Sequence, residues 1–274
     1  MQLRPRAAQV AASRVLKSRE IADLSMTECV YSPGLKMPKH SHELAYFSLV
    51  LLGNFTETFG SAQVMGKPAV LIAHPPEHAH AVVFHSREVR IFRTEIKSRW
   101  LERLRESSVD FESSSCFDGG LPVGLALRLY REFRARDKYS TLAIEGLLLE
   151  MLAEVSRRRE QSRTRHAPHW LERAREILHE TAGVVPTLTE VALEVGVHPV
   201  HLAHEFRKFY AESVGEYARR LRLEAACRQI SQTRLSLSEI AANAGFYDQS
   251  HFSNTFKRHT GMTPAEFRSA TRPH

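Results

Sequence analysis

Thr187-Leu-Thr-Glu-Val-Ala-Leu-Glu-Val-Gly196 and Ser236-Leu-Ser-Glu-Ile-Ala-Ala-Asn-Ala-Gly245 are two versions of one phrase, 49 residues apart. Each opens on a hydroxyl followed three residues later by glutamate. In that pairing the hydroxyl accepts from the glutamate N–H and the carboxylate accepts from the N–H of the capping residue. Each phrase closes on glycine, which ends a helix in a left-handed conformation that side chains resist. The spacing predicts two helices of barely two turns. Ser213-Val-Gly-Glu216 and Thr263-Pro-Ala-Glu266 repeat the capping pattern 50 residues apart, the second with proline at a first helical position, where the missing N–H does no harm. Between each glycine and the next cap, Pro199 to Lys208 and Gln249 to Arg258 predict a further helix with a thin apolar stripe, Leu202 with Phe206 and Phe252 with Phe256. A short helix, a glycine turn and a second helix with a polar face and a basic end form the unit whose second helix enters a DNA major groove. Here it occurs twice.

Upstream, the pattern is different. From Thr27 to Ile96, short apolar or alternating stretches such as Leu44 to Leu52 and Ala69 to Ala73 are punctuated by Pro33-Gly34, Gly53-Asn54, Gly60, Gly66 and Pro75-Pro76, which predicts strands of a β-barrel or sandwich. After Arg99 the period changes. Leu121, Leu125, Leu129 and Phe133, then Ile144, Leu147, Leu148, Met151, Leu152 and Val155, mark two consecutive amphipathic helices. Arg157 to His166 is Arg-rich with almost nothing to bury and is followed by Pro168, a pattern expected of a linker. No role is assigned to Arg157-Arg-Arg159, and Ser113 to Ser115 read as a polar loop.

The chain has 274 residues, 43% hydrophobic and 25% charged. Its apolar runs fall short of the roughly 18 residues that a membrane span needs. Cys29, Cys116 and Cys227 are too few and too scattered for a disulfide framework or a CxxC metal site, and they fit a reducing compartment. The basic start, Arg4 to Arg19, lacks the apolar core of a secretory signal. A cytoplasmic location is expected. The formal charge of +7 permits a polyanionic partner, yet residues 166–274 hold 13 Lys+Arg against 12 Asp+Glu, so charge alone does not mark them as nucleic-acid binding. GxSxG, Walker and GxGxxG motifs are absent from the sequence, and no enzyme activity is expected.

Ile240-Ala-Ala-Asn-Ala-Gly-Phe246, Ser250-His-Phe252, Phe256-Lys257, Gly261-Met-Thr-Pro264 and Phe267-Arg268 resemble the DNA-binding signature of the AraC/XylS family of transcriptional regulators, over roughly 169–270. The family layout of two helix-turn-helix units joined by a long helix maps here onto Val214 to about Ser231, with Arg219, Arg220 and Arg222. The resemblance implies a cupin-like effector barrel and a dimerisation hairpin upstream. The expected fold class is therefore α+β multidomain: a cupin-like effector-sensing β-barrel over 1–115, a helical hairpin for dimerisation over 116–157, a linker over 158–168, and an all-α double helix-turn-helix domain over 169–274. The first unit departs from the family at His198, where a serine cap is usual, and at Ala211, the counterpart of Gly261. His204 and Asn254 stand where the family often has arginine.

The residues expected to meet DNA are Val200, His201, His204, Arg207 and Lys208 in the first unit, and Gln249, Ser250, His251, Asn254, Lys257 and Arg258 in the second. In the barrel, Gly34, His40, His42, Tyr46 and Gly53 fit the first cupin motif with tyrosine in place of its glutamate, and Pro75, Glu77 and His80 fit the second with glutamate in place of glycine. Glu43 is expected to point away from His42, and Glu77 is a possible substitute carboxylate. With the carboxylate lost at Tyr46, His40, His42, Tyr46, His78 and His80 are expected to line an organic-effector pocket, with no metal and no cofactor. The expected function is sequence-specific regulation of transcription in response to a small molecule. The expected partners are promoter DNA, that effector, a second copy of the chain and, for an activator, RNA polymerase, with no membrane. The alternatives are a metal-dependent cupin enzyme fused to a DNA-binding domain and a regulator controlled by a protein partner.

Overall fold

The computed structural model describes residues 13–21, 23–85, 88–97, 99–100, 102, 106, 114–135, 137–164, 167–180, 186–210 and 212–271. Most of the basic start, Ser113 and Ala211 lie outside them. Ten strands come first among the described residues: β1 (Ser13–Ile21), β2 (Leu24–Tyr31), β3 (Lys36–His40), β4 (Ala45–Leu52), β5 (Phe55–Phe59), β6 (Ala62–Gly66), β7 (Val70–His74), β8 (His80–Phe84), β9 (Val89–Ile96) and β10 (Ser115–Asp118). Helices follow: α1 (Gly120–Arg134), α2 (Ser140–Thr164), α3 (His169–Glu180), α4 (Leu188–Glu194), α5 (Pro199–Tyr210), α6 (Val214–Gln232), α7 (Leu237–Asn243), α8 (Gln249–Thr260) and α9 (Pro264–Thr271). None of these helices is long and apolar enough to cross a membrane.

The strands form two antiparallel sheets, β1-β2-β9-β4-β7-β10 and β3-β8-β5-β6. They are not closed into a barrel, which corrects the expectation from sequence. The reason lies in β4, buried at every position. Phe47, Leu49 and Leu51 face helices α1 and α2 in one core, while Val50, with Val70, Ile72 and Ile91, faces Phe55, Val82 and Phe84 of the smaller sheet. A strand covered on both faces reads as a continuous apolar run. The larger sheet is thus the middle of three layers, and its outer strands β1 and β10 each pair with a single neighbour.

The expected helical stripes face inward through Leu125, Leu129 and Phe133 on α1 and Ile144, Leu148, Met151 and Val155 on α2, but Leu121, read as the start of the first, is exposed in the first turn of α1. Helix α2 continues to Thr164 through most of the stretch read as a linker. Arg, Glu and Gln are good helix formers, and Arg158 Nε meets Glu154 at 2.7 Å one turn back. Likewise the sheet runs past 115 to Asp118, because β10 pairs with β7.

The C-terminal helices divide between two cores. Leu171, Leu178, Val191, Leu202, Phe206, Val214 and Tyr217 close one around α3, α4, α5 and the start of α6. Leu223, Cys227, Ile230, Ile240, Phe252, Phe256 and Phe267 belong to the large core that also holds the hairpin and the sheet. Polar contacts fasten the same junction. Arg131 Nη1 donates to the Gly261 carbonyl at 2.7 Å, Arg90 Nη1 to that of Ala270 at 2.7 Å, and Arg220 Nη1 to that of Asp118 at 3.0 Å.

Gly119, between β10 and α1, has φ 99°, and a Cβ there would collide with the Glu224 carboxylate. Gly119→Ala is therefore expected to cost on the order of 1–3 kcal/mol and to loosen α6 from the sheet. Thermal unfolding of the full chain measures this, and an unchanged midpoint would count against a tight junction at this point.

Candidate functional site

The turn chemistry of the C-terminal units is formed as the spacing predicted. Thr187 Oγ1 accepts from Glu190 N at 3.3 Å while Thr187 N donates to Glu190 Oε2 at 2.6 Å. The Ser236–Glu239 pair does the same at 3.2 and 2.7 Å. Ser213–Glu216 and Thr263–Glu266 complete the set. Gly196 and Gly245 have φ 70° and 69°, so each short helix stops where the next must turn. Helix α8 then starts on Asp248, whose Oδ1 accepts from His251 N at 2.7 Å. Helix α5 starts on His198, whose Nδ1 accepts from Val200 N at 3.3 Å.

With Leu202 and Phe206 buried, α5 turns Val200, His201, His204, Arg207 and Lys208 to solvent. With Phe252 and Phe256 buried, α8 likewise exposes Gln249, Ser250, His251, Asn254, Lys257 and Arg258. On α5, His204 Nδ1 and Lys208 Nζ both reach Glu205 Oε1, at 3.1 and 3.2 Å, so an anionic ligand must compete with that carboxylate. Tyr247, in the turn before α8, is 98% exposed. Sequence reasoning did not single it out, and nothing in Gly245-Phe-Tyr-Asp248 distinguishes it from its buried neighbour Phe246.

Between the two sheets, His40, His42, Tyr46 and His80 come together and His78 does not join them. His78 stacks on Phe59 and its Nδ1 lies 2.6 Å from Ser114 Oγ. Three residues outside the expected pocket set complete the cluster: Glu57, Arg93 and His74, the last being one of six histidines that the sequence places in this region. Period-two alternation puts Phe55 and Glu57 on the inner face of β5. Arg93 lies over the Tyr46 ring at 3.8 Å and donates to His42 Nδ1 at 3.1 Å. Glu77 and Glu43 are exposed, although Glu77 N donates to the His42 carbonyl at 2.7 Å. Burial pushes the Glu57 carboxyl up to about 8. It pushes the His80 imidazole down to about 4, His42 to about 2, and His74 well below the usual histidine value. The cavity among them is about 40 Å³, against roughly 300–1,000 Å³ for pockets that take organic ligands.

Residues 191–270 match the family model described as a helix-turn-helix domain. Over 82 residues the chain is 37% identical to the arabinose operon regulatory protein of Escherichia coli K12, covering 30% of this chain and 28% of that one. It is 31% identical over 156 residues to the transcriptional regulatory protein YesN of Bacillus subtilis, covering 48% and 42%. The matched C-terminal segment is a helix-turn-helix domain of the AraC type. The chain spans less than half the length of these two relatives. Among solved structures, apo ToxT of Vibrio cholerae aligns over 92% of this chain and all of its own, at 11% identity and a TM-score of 0.43.

The two units of the AraC/XylS domain are capped unequally at their exposed helices, by a carboxylate on α8 and by an imidazole on α5. Asp248→Ala is expected to cost about 0.5–2 kcal/mol and to fray the first turn of α8, where Gln249, Ser250 and His251 sit. Weaker DNA binding with the fold retained, read by gel shift and circular dichroism, is the expected result. Unchanged stability and affinity would remove the cap from the account.

Proposed function

We propose that the chain is a DNA-binding transcriptional regulator of the AraC/XylS type, placing two recognition helices on promoter DNA and answering to a small-molecule effector. The observation that carries this reading is the pair of exposed polar faces on α5 and α8, each backed by buried aromatic residues and both tied to α6. A cytoplasmic, homodimeric protein follows from the same reading. Exposed Leu142 and Leu149 on α2, 75% and 39% accessible, lie seven residues apart on one face of that helix and suit self-association. RNA polymerase is a partner if the chain activates.

Size bears on where the effector sits. The cavity at His40, His42, Tyr46 and His80 is small, whereas a cleft of about 670 Å³ opens between β10, α3, α5 and α6, with Phe117, Arg158, Arg175, Tyr210 and Tyr217 among its walls. That volume suits an organic molecule, and the position touches both the sheet and the first DNA-binding unit.

Footprinting on DNA fragments captured by the purified protein tests the main reading. Two protected major-groove segments on one face of the duplex, about ten base pairs apart for each chain, are expected, and protection of a single segment would overturn it. Within such a site Asn254→Ala is expected to relax one base position at a cost of about 1–3 kcal/mol. Lys257→Ala should weaken all sequences alike and reduce the salt slope by about one unit. A changed base preference with the slope intact would reverse the assignment of Lys257.

His201 and His204 add a pH term. Phosphate close to an imidazole favours the charged form, so DNA affinity is expected to rise as pH falls. The double replacement His201→Gln, His204→Gln should flatten that rise. Titration of affinity against pH for both proteins checks it, and identical profiles would refute it.

A further inference from the structure

We propose that Glu57, His74 and His80 hold one divalent transition-metal ion between the two sheets. Glu57 Oε1 lies 3.6 Å from His74 Nδ1 and 3.5 Å from His80 Nε2, and the three donor atoms fall within 4.8 Å of one another. Donors bonded at about 2.0–2.1 Å around a tetrahedral centre stand about 3.4 Å apart, so an ion fits among them with little movement. All three side chains are buried.

Of the two imidazole donors one is unengaged and the other meets only a hydroxyl. His80 Nδ1 lies 3.2 Å from the His78 carbonyl. Donation there, the outer support commonly given to a ligating histidine, places the proton on Nδ1 and leaves Nε2 between Glu57 and the Tyr46 hydroxyl, 3.2 Å away, whose proton can rotate aside for an ion. His74 Nδ1 is buried with no hydrogen-bond partner. The cavity has room for a water, which supplies a fourth ligand. Two imidazoles and a carboxylate suit zinc and other late first-row ions better than calcium or magnesium. The Arg93 guanidinium, the neighbouring cation, has its own carboxylate in Glu95, at 3.2 Å.

The other cluster, His40, His42 and His80, is the poorer site, although its donor atoms are as close. His42 Nδ1 accepts from Arg93 at 3.1 Å, so its proton sits on Nε2 and no lone pair is left for an ion. It also lacks a carboxylate to balance the charge. The sequence expectation of no metal looked for the carboxylate at Tyr46 and Glu77, whereas the structure brings it from β5. Glu57 and His80 stand on the smaller sheet and His74 on the larger, so a bound ion would fasten the two together.

The test uses the untagged full chain, stripped with a chelator and titrated with Co²⁺ and then Zn²⁺. One equivalent of Co²⁺ per chain with tetrahedral d–d absorption, displaced by Zn²⁺, is expected, together with a thermal midpoint that rises with Zn²⁺. Glu57→Gln and His74→Gln are each expected to lower Zn²⁺ affinity by about tenfold or more, and His40→Ala to leave it within about threefold. Circular dichroism shows which variants fold, and either of the first two suffices for the comparison. Absence of saturable binding would overturn the proposal. So would loss of affinity in His40→Ala with affinity kept in a folded Glu57→Gln or His74→Gln.

Discussion

One helix belongs to two cores. Along α6, Val214, Tyr217 and Ala218 pack into the first C-terminal core, and Leu223, Ala226, Cys227 and Ile230 into the second. Where it changes allegiance, Arg220 is buried between Glu224 at 2.7 Å and Glu212 at 3.0 Å and also reaches the Asp118 carbonyl. A buried ion pair of this kind adds little net stability, because desolvation opposes the attraction, but removing one partner leaves an uncompensated charge. The 19 residues of α6 span roughly 28 Å at 1.5 Å each, close to the 34 Å of a DNA turn. The strut that links the exposed faces of α5 and α8 thus has a length suited to successive segments of one groove.

The two units are attached to the rest of the molecule differently. The second shares its apolar core with α1, α2 and the larger sheet. Helix α1 also meets the end of α8 directly, through Arg131 on the Gly261 carbonyl and through Gly124, where a Cβ would stand 3.0 Å from the His259 carbonyl. The first unit keeps its own core and touches the hairpin through ion pairs such as Arg158–Glu212 at 3.6 Å. A displacement of the hairpin would pass to α8 by close packing and to α5 through α6 and these more forgiving contacts. Closely packed interfaces transmit small shifts as discrete rearrangements. An effector in the cleft between β10 and α3 would act on the looser of the two attachments.

What could be read from the sequence was local. Capping boxes and turn glycines involve residues three to nine positions apart, so Thr187, Ser213, Ser236 and Thr263 announce their own geometry, and the exposed faces of α5 and α8 follow from two apolar pairs. Closure of a sheet is not local. Nothing in Ala45 to Leu52 says whether its second face meets helices or more strands, and a barrel was the wrong choice. The inter-sheet cluster was half legible. His40, His42, Tyr46 and His80 were found by their spacing, but His74, Glu57 and Arg93 reach the same point from β7, β5 and β9, a meeting set by strand order and register. The one available signal was Glu57 on the inward beat of Phe55-Thr-Glu-Thr-Phe59.

That inward glutamate is the least economical residue of the sandwich. Burying a carboxyl group is costly whether it is charged or held neutral, and Phe, Val or Leu at the same position would extend the apolar cluster of Val50, Ile72, Val82 and Phe84. His74 and His80 double the expense, since each is held uncharged by burial and one ring nitrogen of His74 is left without a partner. Such a group is sustainable where something supplies the missing interactions. A divalent ion does so for all three residues at once, satisfying the orphan nitrogen, balancing the carboxylate and joining β5 and β8 to β7. Without it, the smaller sheet is held to the larger by a modest apolar cluster around a polar centre, and the two sheets become the part of the fold most responsive to what binds between them.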